Sequence, residues 1–206
     1  MKNYFIIFCQ FFAYITSFLL VRSLLRFKLE DHIVLPKGPI IIAANHPSRL
    51  DPFLICLILP PRLAFRLMPA RFVTAEIYLR HWYEKTVMFP LGCVSTKQKG
   101  NRLLEMLEKL LKRGETIFFF PSGKRETPAD SHKPKIGAIY LERNVPNAFI
   151  LPINITIQGS LTLKNVFFRK AQIFVTLLEP YRNRDFPVDM QPLADNLMER
   201  IRKVEN

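Results

Sequence analysis

Residues 40–52 of this chain are IIIAANHPSRLDP. The first five are apolar and mostly β-branched, which predicts a buried strand. Asp51 and Pro52 then predict the start of a helix, because Asp caps helix N-termini and Pro suits the first helical position. The stretch therefore predicts a buried strand that leads through a polar turn into a helix, with chemistry at the carboxyl end of the strand.

Strands and helices alternate along the rest of the chain. The clearest helix is predicted over residues 101–112, where leucines share one face and charged side chains the other, and Gly114 ends it. The other predicted strands are 62–68, 116–120, 149–155 and 171–178, and the other predicted helices are 51–59, 136–143 and 191–204. This alternation predicts an α/β fold with a central mixed sheet flanked by helices.

The composition narrows the class of protein. With 206 residues, of which 49% are hydrophobic, the chain can bury one sizeable core but is short for two domains. The net charge of +13 indicates an anionic partner, such as nucleic acid, an acidic membrane surface or a phosphorylated substrate. The basic residues are scattered and no helix-turn-helix, zinc-finger or RNP-type signature accompanies them, so we expect no nucleic-acid partner.

The three cysteines, Cys9, Cys56 and Cys93, are widely spaced and set among apolar residues. An odd number with this spacing predicts neither a disulfide framework nor a zinc site, and it favours a reducing, cytoplasm-facing compartment.

The N-terminal segment is the most apolar part of the chain. Residues 3–21 contain no charged side chain and are about as long as a helix that crosses a bilayer core. Arg22, Arg26 and Lys28 follow, which favours a cytoplasmic position for the rest of the chain. We therefore predict a membrane-embedded anchor helix over residues 1–28 and one domain over 29–206, at the cytoplasmic face of the inner or plasma membrane. A buried core helix and an in-plane or re-entrant helix are the alternatives.

A His and an Asp lie in the turn after the predicted strand. His46 and Asp51 are separated by four residues, and such a turn can fold the carboxylate back onto the imidazole. An Asp bonded to one ring nitrogen fixes the tautomer and leaves the other nitrogen free to take a proton from an alcohol. Asp51 as a helix cap and His46 as a loop hydrogen-bonding residue is the simpler interpretation, and the two roles can coexist.

A basic turn follows the strand predicted at 116–120. Residues 120–125 are FPSGKR. Gly123 permits a tight turn that brings backbone N–H groups near a ligand, and Arg125 can hold a phosphate with two parallel hydrogen bonds. The alternative is a solvated basic turn with no ligand.

The order of these motifs resembles the glycerolipid acyltransferase family. Residues 45–51 match its NHxSxxD block, which contains the HX4D motif of His46 and Asp51, and residues 120–125 resemble its FPEGTR block. Residues 151–153, Leu-Pro-Ile, resemble a later strand with a central Pro. The resemblance runs from about Pro39 to Asn154.

Two blocks depart from the family pattern. Ser122 stands where most members have Glu, and Lys124 stands where they have Thr, which bears on the acceptor more than on the type of reaction. Residues 92–98 follow the family's GxxFxxR block poorly, with Lys97 or Lys99 as the alternatives for its Arg.

The resemblance implies an acyltransferase that moves a fatty acyl group from acyl-CoA or acyl-carrier protein to the free hydroxyl of lysophosphatidate, forming phosphatidate in phospholipid synthesis. His46 and Asp51 would be catalytic, and the substrate-binding residues would be Ser122, Gly123, Lys124, Arg125 and Lys97. The thioester is a substrate, so no cofactor is expected. No metal is expected either, because His46 and Asp51 lack the further His, Cys or carboxylate partners of a metal site. The expected partners are membrane lipid, the acyl donor and a lysophospholipid acceptor. The alternatives are acylation of glycerol-3-phosphate or another lysophospholipid, and a non-catalytic membrane-anchored protein that binds acidic lipids.

Overall fold

The structure is a computed structural model that describes residues 3–24, 26–30, 33–48, 51, 55, 59–79, 81–97, 101–125, 133–159, 172–183 and 189–203. Its helices are α1 (Tyr4–Leu24), α2 (Pro61–Leu67), α3 (Trp82–Met88), α4 (Asn101–Lys112), α5 (Gly137–Asn144) and α6 (Met190–Arg202), with a 3₁₀ turn at Glu76–Leu79. Its strands are β1 (Arg26–Glu30), β2 (Ile40–Ala44), β3 (Ala70–Thr74), β4 (Cys93–Ser95), β5 (Thr116–Phe119), β6 (Phe149–Gln158) and β7 (Gln172–Leu177).

The strands form one mixed sheet in the order β1-β7-β6-β2-β5-β3-β4. The β6–β7 pair is antiparallel, and every other pair in the sheet is parallel. Strands β6, β2, β5, β3 and β4 therefore run in the same direction, and their carboxyl ends meet at one edge. In open α/β sheets this edge is where ligands bind. The α/β fold with a central mixed sheet flanked by helices is confirmed.

The core lies on both faces of this sheet, and β2 contributes to each face in turn. Ile40, Ile42 and Ala44 pack into one buried cluster, which also contains residues of α1 and α2. Ile41 and Ala43 pack into the other, with residues of α4, α5 and α6. A central parallel strand that is buried on both faces needs an apolar side chain at every position, which explains the uninterrupted run at 40–44.

Helix α1 packs against the sheet domain through one face. Within that face, Gln10 bonds to the backbone of Ala70 and Leu91, and the Tyr14 hydroxyl donates to the carbonyl of Leu59 at 2.9 Å. In the described part of the chain, no helix has the length and apolar character needed to cross a membrane. The predicted membrane-embedded anchor helix is therefore not supported.

The predicted boundary of the anchor at residue 28 also differs from the structure. Helix α1 ends at Leu24, and Arg26–Glu30 is a strand that pairs in parallel with β7. Residues 26–28 therefore belong to the sheet. Their alternating charged and apolar residues suit a strand at the sheet's edge.

The strand predicted at 62–68 is wrong, because Pro61–Leu67 is helix α2. Pro60 and Pro61 begin this helix, and Leu63, Ala64 and Leu67 are buried at helical spacing. The strands at 40–44, 116–120 and 171–178 and the helices at 101–112, 136–143 and 191–204 are confirmed within two residues at each end. The strand at 149–155 is confirmed but extends three residues further, to Gln158. Of the helix predicted at 51–59, Asp51 and Ile55 have helical backbone, and most of the remainder lies outside the described residues.

Candidate active site

The turn that carries the candidate base is fixed from the strand side by Asn45. Its amide nitrogen donates to the Ile155 carbonyl at 2.8 Å, and its amide oxygen accepts from the Ile155 N–H at 2.7 Å. The side chain is buried, and it continues the β2–β6 pairing beyond the last register pair, Ala44 with Ile153. The backbone that enters His46 is therefore held against β6.

The carboxylate of Asp51 lies against the imidazole of His46. The His46 Nδ1 and Asp51 Oδ2 atoms are 2.8 Å apart, and the Ser48 N–H donates to the same carboxylate oxygen at 2.7 Å. Asp51 is fully buried, whereas the His46 side chain is 16% exposed. A carboxylate accepts from Nδ1–H, so the lone pair of the neutral ring lies on Nε2, where it can accept a proton.

A second contact of the imidazole is an aromatic ring from the neighbouring strand. Phe120, the residue after β5, stacks on His46 with ring centroids 3.9 Å apart and planes 14° apart. Phe120 in turn packs against Phe118 of the core, at 5.1 Å between centroids. This contact could not be predicted from the sequence, because the two residues are 74 positions apart and neither strand alone indicates it.

The basic turn follows directly after Phe120. Gly123 has φ of 69°, a left-handed conformation that favours glycine, and its N–H donates to the Phe120 carbonyl at 2.9 Å. The buried Ser122 hydroxyl donates to the Lys124 carbonyl at 2.7 Å. The Ser122 side chain therefore stabilises the turn, while the side chains of Lys124 and Arg125 are exposed.

A third cation, absent from the predicted site, lies over this turn. The Lys135 N–H donates to the Pro121 carbonyl at 2.8 Å. Its side chain covers Gly123 so closely that a Cβ there would lie 2.7 Å from the ammonium nitrogen. Within the described residues, no acidic side chain pairs with Lys124, Arg125 or Lys135. Adjacent unpaired cations make this turn a candidate anion site.

Lys97 lies at the same edge of the sheet but away from His46. It follows β4, where its N–H donates to the Ser95 hydroxyl at 3.1 Å, and its side chain is exposed. Strand β4 is two strands from β5 and three from β2. The structure therefore brings together His46, Asp51 and the basic turn, and leaves Lys97 further along the edge.

The described part of the chain contains neither a metal cluster nor a Cys93 thiol activated for attack. Among those residues, no group of three or more His, Cys, Asp or Glu side chains could hold a metal ion. Burial raises the pKa of the Cys93 thiol, although a hydrogen bond with Thr74 partly offsets this, and its sulfur lies 3.8 Å from that of Met88. A thiol with a raised pKa is a poor nucleophile at neutral pH, which argues for a packing role.

The fold and the site together describe an α/β protein with a His–Asp pair beside a basic turn at the carboxyl edge of its sheet. Residues 26–156 match the family model described as Acyltransferase. That match covers more than half of the chain, and the chain belongs to this acyltransferase family.

Among the proteins similar to this chain are two relatives from Mycoplasma and one solved structure. A Mycoplasma genitalium protein is 30% identical over 161 residues, covering 75% of this chain and 56% of the relative. A Mycoplasma pneumoniae protein is 27% identical over 183 residues, covering 81% and 66%. Both are named "Probable 1-acyl-sn-glycerol-3-phosphate acyltransferase", and this chain spans less than two thirds of the length of either.

The solved structure is the 1-acyl-sn-glycerophosphate (LPA) acyltransferase, PlsC, from Thermotoga maritima. It superposes with a TM-score of 0.65 at 17% identity, covering 97% of this chain and 77% of that chain. At this identity the likeness concerns the fold.

Proposed function

We propose that this protein transfers a fatty acyl group from acyl-CoA or acyl-carrier protein to the free hydroxyl of lysophosphatidate, forming phosphatidate. The observation that carries the proposal is the 2.8 Å contact between His46 Nδ1 and the buried Asp51 carboxylate, next to the basic turn, in a chain of the acyltransferase family. A base beside an anion site suits an acceptor that carries both a hydroxyl and a phosphate.

In the proposed reaction, His46 Nε2 takes the proton of the acceptor hydroxyl while its oxygen attacks the thioester carbonyl carbon. The tetrahedral intermediate then collapses, the C–S bond breaks, and the leaving thiolate takes the proton from the imidazolium. One ester and one free thiol replace one alcohol and one thioester, and His46 returns to its neutral form. Asp51 stabilises the imidazolium between the two proton transfers. Because the acceptor oxygen attacks the thioester directly, no enzyme nucleophile is needed.

The basic turn is proposed to bind the phosphate of the acceptor. The guanidinium of Arg125 can donate two parallel hydrogen bonds to phosphate oxygens, while Lys124 and Lys135 supply point charges. The Gly123 conformation supports this role, since it lets the backbone and the Lys135 side chain approach each other closely. The exposure of all three cations leaves them accessible to a ligand.

The exposed face of α1 supports a site of action at a membrane surface. Ile6, Gln10 and Tyr14, four residues apart, are buried against the domain. Among the α1 residues whose side chains the structure describes, the exposed large apolar ones are Tyr4, Phe5, Phe8, Phe11, Phe12 and Ile15. A helix with one face on the protein and an aromatic outer face suits an in-plane position at the lipid interface.

The function is tested with the purified full-length protein in lipid nanodiscs. Acyl-CoA and acyl-carrier protein are each supplied with lysophosphatidate, glycerol-3-phosphate, another lysophospholipid or monoacylglycerol, and both free thiol and the lipid product are measured. We expect thiol release that depends on lysophosphatidate and matches phosphatidate formation. Acceptor-dependent release with another acceptor alone would reassign the substrate, and binding to acidic vesicles with no release would identify a non-catalytic protein.

Membrane attachment is tested by flotation with vesicles of acidic phospholipid. Phe8 and Phe12 are 68% and 63% exposed, and their joint replacement by Glu should greatly reduce the bound fraction. Val34→Glu is the matched control, because Val34 is 87% exposed and lies outside α1. Equal flotation of the double variant and the wild type would refute an α1 contact with lipid.

A further inference from the structure

We infer that Phe120 is a positioning residue, whose ring holds the imidazole of His46 in the plane that presents Nε2 to the acceptor hydroxyl. The inference rests on the proposed role of His46 as the base. Its evidence is the stack of the two rings, 3.9 Å between centroids and 14° between planes.

The hydrogen bond to Asp51 does not by itself prevent rotation of the imidazole ring. It holds Nδ1 at 2.8 Å from Oδ2, but the ring can still pivot slightly about the bond between Cβ and the ring without losing this contact. Torsions of this kind are broad for His, because the bond to the ring joins sp³ and sp² carbons. A flat ring packed in parallel against the imidazole blocks this pivot, so the stack and the hydrogen bond together fix the direction of Nε2.

Phe120 can serve as a rigid support because the core holds it. Its ring packs at 5.1 Å and 60° against Phe118, which is 1% exposed. The parallel pairing of β2 with β5 sets Ala43 opposite Phe119, so His46 and Phe120 leave the sheet from adjacent strands. The orientation of the base is therefore coupled to the packing of the core.

If Phe120 positions His46, residue 120 must be aromatic, and an apolar side chain of similar size is not sufficient. Phe120→Met, which keeps a side chain of similar size without a flat face, should lower kcat about tenfold and leave KM for the acceptor within about twofold, because misorientation of a catalytic group acts on the chemical step. Phe120→Tyr should keep kcat within about twofold of the wild type. Phe72→Met is the matched control, since Phe72 also packs against Phe118 but lies on β3.

A second comparison asks whether Phe120 acts through His46. In a His46→Ala background, Phe120→Met should cause no further loss of residual turnover, because no imidazole is left to orient. Turnover is expressed per folded protein, measured from the thermal unfolding signal, and Phe120→Leu is the second non-aromatic replacement if Phe120→Met does not fold. Wild-type kcat in a folded non-aromatic variant, or an equal loss with and without His46, would overturn the positioning role. If His46→Ala itself keeps wild-type turnover, the base assignment of the proposed function fails instead.

Discussion

The side chain of Asn45 forms with Ile155 the pair of hydrogen bonds that a strand residue would form, at 2.8 and 2.7 Å. Strand β2 ends at Ala44, so the next backbone positions lie beyond the regular pairing of the sheet. The amide of Asn45 replaces that pairing and satisfies both backbone groups of Ile155. The residue before the candidate base thus keeps the end of β2 attached to β6.

Replacement of Asn45 by Ala should lower both stability and turnover. The buried N–H and carbonyl of Ile155 would lose their partners, which we expect to reduce the free energy of unfolding by about 1–3 kcal/mol. Asn144→Ala is the matched control, because the Asn144 amide donates one exposed hydrogen bond to the Tyr140 carbonyl. This substitution should change the free energy of unfolding by less than about 0.5 kcal/mol. Denaturant unfolding measures the stability of each variant. Equal stability of the two variants would contradict this role of Asn45.

The His–Asp pair should be required for turnover but not for folding. His46→Ala should lose about a hundredfold or more in kcat, the range that general-base catalysis supplies. Asp51→Asn should also be severely impaired, because a neutral amide stabilises the imidazolium less well. Asp189→Asn, at the N-terminus of α6, is the control, since Asn caps a helix nearly as well as Asp. Wild-type turnover in a folded His46→Ala protein would contradict the assignment of His46 as the general base.

The elements predicted well from the sequence are those with a strong local pattern. The apolar run at 40–44 and the leucine face of 101–112 each identify their own structure. Residues 62–68 were ambiguous, because a short apolar segment fits a strand or one buried helical face, and the preceding prolines favoured the helix. Strand β4 has three residues, too few for any period to be visible.

The same limit applies to the site. The approach of Asp51 to His46 takes place within one short turn, so their spacing indicated that the contact could form. The contacts of Asn45 with Ile155, and of Phe120 with His46, join segments 110 and 74 residues apart. They depend on the order of the strands in the sheet, which no local pattern specifies.

Gln10 is predicted to make α1 part of the folded domain. Its amide donates to the carbonyls of Ala70 and Leu91 at 2.6 and 2.9 Å and accepts from the Ala70 N–H at 3.0 Å. Gln10→Leu would leave these buried groups without partners, so we expect a loss of about 1–3 kcal/mol or more in the free energy of unfolding. Thr16→Val removes an exposed hydrogen bond from the Thr16 hydroxyl to the Phe12 carbonyl within the same helix. It should have little effect on the free energy of unfolding. If both variants unfold like the wild type, α1 is only loosely attached.

Arg125 is predicted to distinguish acceptors by their phosphate. A charge-assisted contact is worth about 1.5–3 kcal/mol, so Arg125→Ala should lower kcat/KM for lysophosphatidate by about ten- to a hundredfold and change that for monoacylglycerol much less. Arg125→Lys should recover only part of the loss, because an ammonium lacks the planar fork. Arg113→Ala is the matched control, since Arg113 is also exposed but precedes β5, at the opposite end of the strand. An equal loss with both acceptors would assign Arg125 to the fold or the acyl donor, because a phosphate contact cannot act on an acceptor that has no phosphate.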